Sequence, residues 1–151
     1  MTYVGGGKAG WNGNYVESVN AAKTIDKNDS GKVFMVTHPA AIDGSEGYTI
    51  TLPTPSVAGA GFSCKFIVSS ATLGNDADED VTFTDGTTDS IVFQFIDANS
   101  DFTSDIAIDT VIFDHTAYQG DFMEWWTDGT TWYVFAAVSY THLTLPTILR
   151  V

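Results

Sequence analysis

The acidic loop GNDADED contains the side chains best suited to bind a cation. Asp76, Asp78 and Asp80 alternate along it, and carboxylate oxygens are the ligands that Ca²⁺ prefers. The EF-hand pattern fails, because Val81 stands where that pattern needs glycine and Thr87 where it needs a bidentate glutamate. We therefore expect a solvated loop between two strands and no cofactor. A calcium site at the three aspartates stays open as the alternative.

The histidines and the cysteine are the other residues that could do chemistry. A Ser–His–Asp triad could be assembled from the many serines and aspartates, but no G-x-S-x-G turn supports one. His38 and His115 stand at predicted strand ends, where we expect ordinary hydrogen-bonded roles. Cys64 alternates with Phe62 and Phe66, and burial among aromatic rings favours an inert core thiol. A paired-carboxylate glycosidase is the least favoured hypothesis, and we predict that the protein is not an enzyme.

Adjacent aromatic residues are candidates for binding. Trp125–Trp126 and Trp132–Tyr133 lie in segments with strand patterning, where neighbouring residues point to opposite faces of a sheet. One member of each pair is therefore expected to be exposed, where it could fill a partner's pocket or stack on a sugar. We favour burial against another subunit over sugar binding. Trp11, in a Gly-rich arm, is a further interface or stacking candidate.

The charge balance argues against two classes of partner. The chain has 19 acidic and 6 basic residues, a formal net charge of −13. Phosphate backbones and anionic membrane surfaces would repel such a chain. The only arginine is Arg150, and arginine is the usual bidentate ligand for phosphate. We predict no nucleic-acid partner and no membrane partner.

The elements that must position these residues are short strands. Apolar and polar residues alternate with a period of two between turn signals, and no helical repeat of apolar positions is evident. Asp128–Gly129 is a strong hairpin signal. Eight or nine short strands predict an all-β, single-domain β-sandwich or a jelly-roll-like fold. Besides the two strands of that hairpin, the main predicted strands are residues 32–37, 48–52, 62–70, 81–85, 90–97 and 106–113.

Composition divides the chain into three parts. Residues 1–14 are Gly-rich and predict a flexible arm. Residues 15–138 predict the β-domain, which is long enough to bury a core without disulfides. Residues 139–151 contain the only arginine and no acidic residue.

The third part has an unusual origin in our interpretation. Back-translated codon by codon, VSYTHLTLPT resembles the transposon end and primer used as a sequencing adapter in shotgun libraries. We therefore expect residues 139–151 to be a non-native tail, poorly packed after a strand ending near Ala137, on a metagenomic reading frame truncated near its C-terminus. The alternative is a genuine last strand with Leu143 and Leu145 buried.

Three segments in a fixed order resemble a known family. They are AAKTIDKNDSGKVFMVT, GYTITLPTPSVAGAGFSCKFIVSS and GDFMEWWTDGTTWYVFA. Together they are similar to small structural proteins of tailed phages, especially marine and cyanobacterial phages, over residues 20–137. The shared motifs are strand-and-turn patterns and include no catalytic residue.

The resemblance implies a component of the virion. It suggests a capsid decoration protein, a fibre-type β-domain or a tail-associated adhesin, made in the host cytoplasm. Such proteins often act as trimers or as many copies on the capsid lattice. The implied partners are further copies of the chain, the major capsid protein or another virion protein and, for an adhesin, a host glycan. The arm with Trp11 would then be an anchor that becomes ordered on docking.

Overall fold

The structure is a computed structural model that describes residues 15–38, 47–74, 78–88, 90–97 and 102–139. Helix within these ranges is limited to one 3₁₀ turn and one α-helical turn, at Lys27–Asp29 and Pro55–Ala58. No helix among the described residues is long and apolar enough to cross a membrane. The strands are β1 Val16–Val19, β2 Lys23–Thr24, β3 Val33–Val36, β4 Tyr48–Thr51, β5 Ser63–Val68, β6 Val81–Thr84, β7 Ile91–Ile96, β8 Phe102–Ile108, β9 Thr110–Phe113, β10 Phe122–Thr127 and β11 Trp132–Ala137.

Two sheets pack against each other, which confirms the predicted all-β sandwich. The larger sheet has seven strands in the order β1-β3-β5-β10-β11-β7-β8, and the smaller has four in the order β2-β4-β6-β9. The described residues thus contain eleven strands where the sequence predicted eight or nine. The additional strands include β1 and β2, whose sequences VESV and KT show no alternation of apolar and polar residues.

The single strand predicted at residues 106–113 is wrong. β8 ends at Ile108 in the seven-stranded sheet, and β9 begins at Thr110 in the four-stranded sheet. Just before this switch Ala107 has a φ of 61°, and the register of β8 against β7 shifts. A left-handed residue beside a register shift bends a strand away from its partner, so the chain changes sheets here.

The strand topology differs from that of a jelly roll. From β1 to β7 each strand lies in the opposite sheet to the one before it, so β1, β3 and β5 are parallel neighbours, as are β2, β4 and β6. Jelly rolls are built from antiparallel strands. Among the strands of the described residues, five of the nine pairs are parallel.

Aromatic residues from both sheets form the centre of the core. Phe83 of β6 has its ring centroid 4.8 Å from that of Phe66 and 6.1 Å from that of Trp125, both in the opposite sheet. Trp125 in turn packs edge-on against Trp132 at 5.7 Å. The four side chains are fully buried. Aromatic pairs in such contacts contribute about 0.5–1.5 kcal/mol beyond the burial of their area.

The predicted closing hairpin is confirmed. β10 and β11 pair antiparallel, from Phe122 opposite Ala137 to Thr127 opposite Trp132. Oδ1 of Asp128 accepts hydrogen bonds from the backbone nitrogens of Thr130 and Thr131, at 2.8 and 2.9 Å. These two hydrogen bonds hold the pKa of the Asp128 carboxyl below its usual value.

The sandwich extends to the end of the described chain. Val138 is buried, and its backbone nitrogen donates to the carbonyl of Ile96 at 3.1 Å. The backbone nitrogen of Ser139 donates to Oδ1 of Asp121 at 2.7 Å. The residues that lie outside the described ranges include the predicted arm at 1–14 and the remainder of the predicted tail, with Leu143 and Leu145.

Candidate functional site

Six strands of the seven-stranded sheet expose a largely apolar side. Their inward residues enter the core, and the alternation of a strand turns the intervening residues outward. We call this outward surface of β1, β3, β5, β10, β11 and β7 the apolar face. Its apolar side chains are Val16, Val33, Met35, Ile67, Val92, Ile96, Phe122, Trp126, Tyr133, Phe135 and Ala137.

Several large side chains on the apolar face remain in contact with solvent. Nine large apolar residues are exposed in the described ranges, and five of them lie on this face. Trp126 is 46% exposed, Tyr133 39% and Phe135 36%. Monomeric proteins rarely expose a contiguous apolar patch of more than a few hundred Å², and larger patches mark binding sites. The surface therefore has the composition of an interface.

A groove of about 330 Å³ runs over β10, β11 and β7 on the apolar face. The rings of Trp126 and Tyr133 form one wall, with centroids 5.3 Å apart and planes tilted by 46°. The hydroxyl of Tyr133 donates to Oδ2 of Asp128 at 3.2 Å, which orients the ring. Such a groove can accept a protruding side chain or one face of a sugar ring. Its lining residues are Val92, Gln94, Glu124, Trp126, Tyr133, Val134 and Phe135.

The charges on the apolar face cancel. Its outward charged residues are Lys65 and Glu124, whose Nζ and Oε1 atoms lie 3.4 Å apart. Nζ of Lys65 also lies 4.2 Å from the ring centroid of Phe122, a cation–π distance. In a chain of net charge −13, this surface is close to neutral.

The structure separates the aromatic candidates. Trp125 and Trp132 are fully buried, and Nε1 of Trp132 donates to the carbonyl of Pro53 at 3.1 Å. Because neither reaches the surface, these two tryptophans are core residues and cannot themselves stack on a ligand. Their neighbours Trp126 and Tyr133 are exposed together on the apolar face, as the alternation predicts. Trp11 lies outside the described residues.

The apolar face contains further residues that the adjacent aromatic pairs do not indicate. Phe135 and Val92 neighbour Tyr133, and Ile96 lies opposite Ala137. The sequence does contain a signal for these residues, because WYVFAA and IVFQFI have apolar residues on both faces of the strand. A strand with one face in water has polar residues at its outward positions.

The acidic loop does not assemble the three predicted calcium ligands within the described residues. Asp76 lies outside those residues, and the backbone carbonyl of Asp78 accepts a hydrogen bond from Gly47. Oδ1 of Asp80 accepts from the backbone nitrogen of His115 at 2.7 Å. Burial raises the pKa of Asp80; the hydrogen bond from His115 opposes this rise, and the charge of Asp114 adds to it. Asp80 thus belongs with residues of another strand end.

His38 and Cys64 have local packing roles. Nε2 of His38 lies 3.6 Å from Oε2 of Glu79, whose side chain is almost fully buried. Burial raises the pKa of the Cys64 thiol well above its ordinary value, so the thiolate needed for nucleophilic attack is not populated near neutral pH. The inert role expected for Cys64 agrees with this burial.

Comparison with known proteins gives no relative: no protein-family model, no curated protein and no solved structure matches the chain. The resemblance to phage structural proteins stays a prediction.

Proposed function

We propose that this protein is a non-enzymatic structural component of a phage virion and works by self-association through the apolar face. The observation that carries the proposal is the exposure of Trp126, Tyr133 and Phe135 side by side on one sheet. Removing apolar surface from water is favourable by about 25 cal/mol per Å². Aromatic residues are also enriched at the centres of protein interfaces. A capsid decoration protein or fibre-type β-domain, present in many copies, requires such a surface.

Charge favours a second copy of the chain as the occupant. Copies with a net charge of −13 repel one another through most approaches. The apolar face adds no net charge to the contact, because Lys65 offsets Glu124. In a two-fold pairing each residue of one copy meets the same patch of the other, so Lys65 can also approach Glu124 across the interface. An acidic partner without such a lysine would lack this complementarity.

The dimensions of the sheet suit this role. The six strands of the apolar face at a spacing of about 4.8 Å give a width of roughly 25–30 Å, and its six-residue strands are roughly 20 Å long. The footprint is on the order of 600 Å², somewhat below the ~800 Å² per partner of a standard stable interface. A contact of this size suits a modest affinity that many copies on a lattice strengthen through avidity.

The proposed localisation in the virion rests on the resemblance and the proposed assembly together. The homo-oligomer would be made in the host cytoplasm and incorporated into the particle. The major capsid protein or another virion protein would then supply the remaining contact. The acidic exterior keeps assembled particles apart by repulsion.

Sedimentation equilibrium of the full chain tests self-association. We expect a concentration-dependent oligomer whose dissociation constant rises at least tenfold when Trp126→Ser and Phe135→Ser are combined, because hot-spot residues each contribute about 2 kcal/mol or more. Tyr118→Ser is the matched control, since Tyr118 is an exposed aromatic residue outside the apolar face. A wild-type chain that stays monomeric up to about 1 mM contradicts the proposal.

The groove beside Trp126 favours a second candidate function, a carbohydrate- or receptor-binding adhesin module. An aromatic wall with Gln94 and Glu124 nearby offers a stacking surface and polar partners for sugar hydroxyls. A glycan array with the wild type, Trp126→Ala and Tyr118→Ala distinguishes the two. Glycan binding that Trp126→Ala removes and Tyr118→Ala retains supports the adhesin. A silent array together with oligomerisation supports the structural role.

A further inference from the structure

A cluster of ligand-type side chains lies at one end of the four-stranded sheet, away from the apolar face. β6 begins at Val81 and β9 ends at Phe113, and these residues are paired in the antiparallel register. Asp80 directly precedes β6, and Asp114 and His115 directly follow β9. The register therefore brings two carboxylates and an imidazole to the same end of the sheet.

Two of the distances within this cluster match those between the ligands of one metal ion. Nδ1 of His115 lies 3.1 Å from Oδ1 of Asp114 and 3.4 Å from Oδ1 of Asp80. All three atoms lie within 4.8 Å of one another. Ligands that bind one ion at about 2.0–2.2 Å are separated by roughly 3.0–3.5 Å in tetrahedral or octahedral geometry. Small side-chain movements are enough to complete the site.

Backbone hydrogen bonds hold both carboxylates in place. Oδ1 of Asp80 accepts from the backbone nitrogen of His115 at 2.7 Å. Oδ1 of Asp114 accepts from the backbone nitrogen and the hydroxyl of Thr116 at 2.8 and 2.7 Å. Hydrogen bonds of this kind orient the ligands of metal sites. The two carboxylates are therefore already held in position before an ion binds.

The imidazole nitrogen gives an independent indication. Nδ1 of His115 is buried and makes no hydrogen bond, although two carboxylate oxygens face it. If the neutral ring has its proton on Nε2, the lone pair of Nδ1 faces these oxygens and the three electron-rich atoms repel one another. A cation between them attracts all three atoms and outweighs that repulsion.

Further charged groups surround the cluster. Glu79, whose side chain is nearly buried, lies beside His115: a Cβ placed on Gly74 would be 2.8 Å from Oε2 of Glu79 and 3.1 Å from Cβ of His115. Nε2 of His38 lies 3.6 Å from Oε2 of Glu79. Glycine at position 74 therefore lets the two chain segments approach, and the side chain of Glu79 packs close to His115.

We propose that Asp80, Asp114 and His115 bind a divalent transition-metal ion, of which zinc fits best, and that this ion links the ends of β6 and β9. One imidazole nitrogen with two carboxylate oxygens is a ligand set for zinc and related ions. Ca²⁺ takes six to eight oxygen ligands and is expected to bind far more weakly. Three protein ligands leave the remaining position to water or to a residue of a neighbouring protein.

Metal titration of the tag-free full chain tests the site. We expect one Zn²⁺ per chain by equilibrium dialysis and a melting temperature raised by roughly 5–10 °C at a hundredfold excess over Kd, reversed by EDTA. His115→Gln and Asp80→Asn should each weaken binding roughly 100-fold or more. Asn at position 80 keeps an oxygen for the backbone bond. His38→Gln and His142→Gln are the controls and should retain binding.

A second measurement needs no variant. Long-range ¹H–¹⁵N spectra of the wild-type histidine rings should show the Nδ1 resonance of His115 moving on addition of Zn²⁺, while those of His38 and His142 stay unchanged. Zn²⁺ that leaves the His115 resonance unmoved overturns the proposal, as does binding that His142→Gln removes. Equal stabilisation by Ca²⁺ would also contradict a site with a nitrogen ligand.

Discussion

The outward surfaces of the two sheets differ sharply, although both belong to one sandwich. The four-stranded sheet has threonine at nearly every outward position, in rows across its strands, whereas the seven-stranded sheet has the aromatic and aliphatic residues of the apolar face. We call the former the threonine face. Its outward side chains are Thr24, Thr49, Thr51, Thr82, Thr84, Thr110 and Ile112.

The contrast supports the proposal that the apolar face is the contact surface. Threonine combines a β-branched side chain, which suits a strand, with a hydroxyl that can face water. The threonine face thus follows the ordinary rule of a solvated sheet, apolar inward and polar outward. The apolar face breaks that rule at Trp126, Tyr133 and Phe135 without any gain to the core. Residues that break a folding rule without a structural benefit are expected at functional sites.

The largest expected effect distinguishes the inner from the outer tryptophan of β10. Trp125→Ala should lower the free energy of unfolding by about 3–5 kcal/mol, because it leaves a large cavity between the sheets. Trp126→Ala should lower it by less than about 1 kcal/mol while weakening self-association. Urea unfolding monitored by circular dichroism measures both.

Trp125→Phe is the control for that pair. Nε1 of Trp125 is buried without a hydrogen-bond partner, so phenylalanine removes an unsatisfied donor while it keeps most of the packing. Its cost should be well below that of Trp125→Ala. A loss of several kcal/mol in Trp126→Ala would mean that the apolar face is structural, and the contrast between the two faces would fail.

A charge reversal tests the neutrality of the apolar face. Lys65→Glu leaves two outward acids and no base there, so copies should repel and the dissociation constant should rise roughly tenfold at low salt. The effect should diminish at about 0.5 M salt, where charges are screened beyond a few Å. Lys27→Glu changes the net charge equally at an exposed turn outside this face and should alter association much less. Equal effects from both would assign the repulsion to net charge alone.

Local patterns in the sequence predict strands but not their partners. The alternation in FSCKFIVSS correctly predicts the inward position of Cys64 beside Phe62 and Phe66. The break between β8 and β9 is not predictable from composition, because the residue with positive φ is Ala107, where glycine would have been the signal. Parallel pairing of alternate strands likewise depends on contacts far apart in sequence.

The two candidate sites show the same division. Trp126 and Tyr133 lie on one surface because a single hairpin joins their strands. Asp128–Gly129 predicts the turn of that hairpin from the sequence. Asp80 and His115 are 35 residues apart, and only the register of β6 against β9 brings them together. No local pattern encodes that register. Proximity in the sequence therefore groups Asp80 with the other loop aspartates, whereas the fold places it beside His115 at the end of β9.

A pair of conservative changes tests whether the threonine face is passive. Thr49→Val and Thr82→Val together replace two hydroxyls by methyl groups of similar shape on neighbouring strands. We expect the free energy of unfolding to change by at most about 1 kcal/mol and sedimentation equilibrium to be unchanged. A shift in oligomer affinity as large as that from Trp126→Ser and Phe135→Ser would mean that the four-stranded sheet takes part in the contact, and would contradict the proposal.

The smallest expected effect concerns a cluster of charged residues at the β1 edge of the seven-stranded sheet, outside the apolar face. Oε1 of Glu17 lies 2.6 Å from Nζ of Lys23, and Oε2 lies 3.2 Å from Nζ of Lys32. The hydrogen bond from Lys23 holds the pKa of Glu17 below its usual value. Burial raises this pKa, but the hydrogen bond from Lys32 lowers it further.

A lowered pKa means that the folded state binds the Glu17 proton less tightly than the unfolded state does. The stabilisation is therefore complete above the ordinary pKa of a glutamate and is lost as the pH falls through the lowered value. Glu17→Gln should be less stable than the wild type by roughly 0.5 kcal/mol at pH 7, the modest size reflecting solvent screening, and the difference should vanish near pH 2. Urea unfolding at the two pH values measures this. Sedimentation at pH 7 should be unchanged, because these charges lie outside the apolar face; a weakened oligomer would extend the contact to the β1 edge.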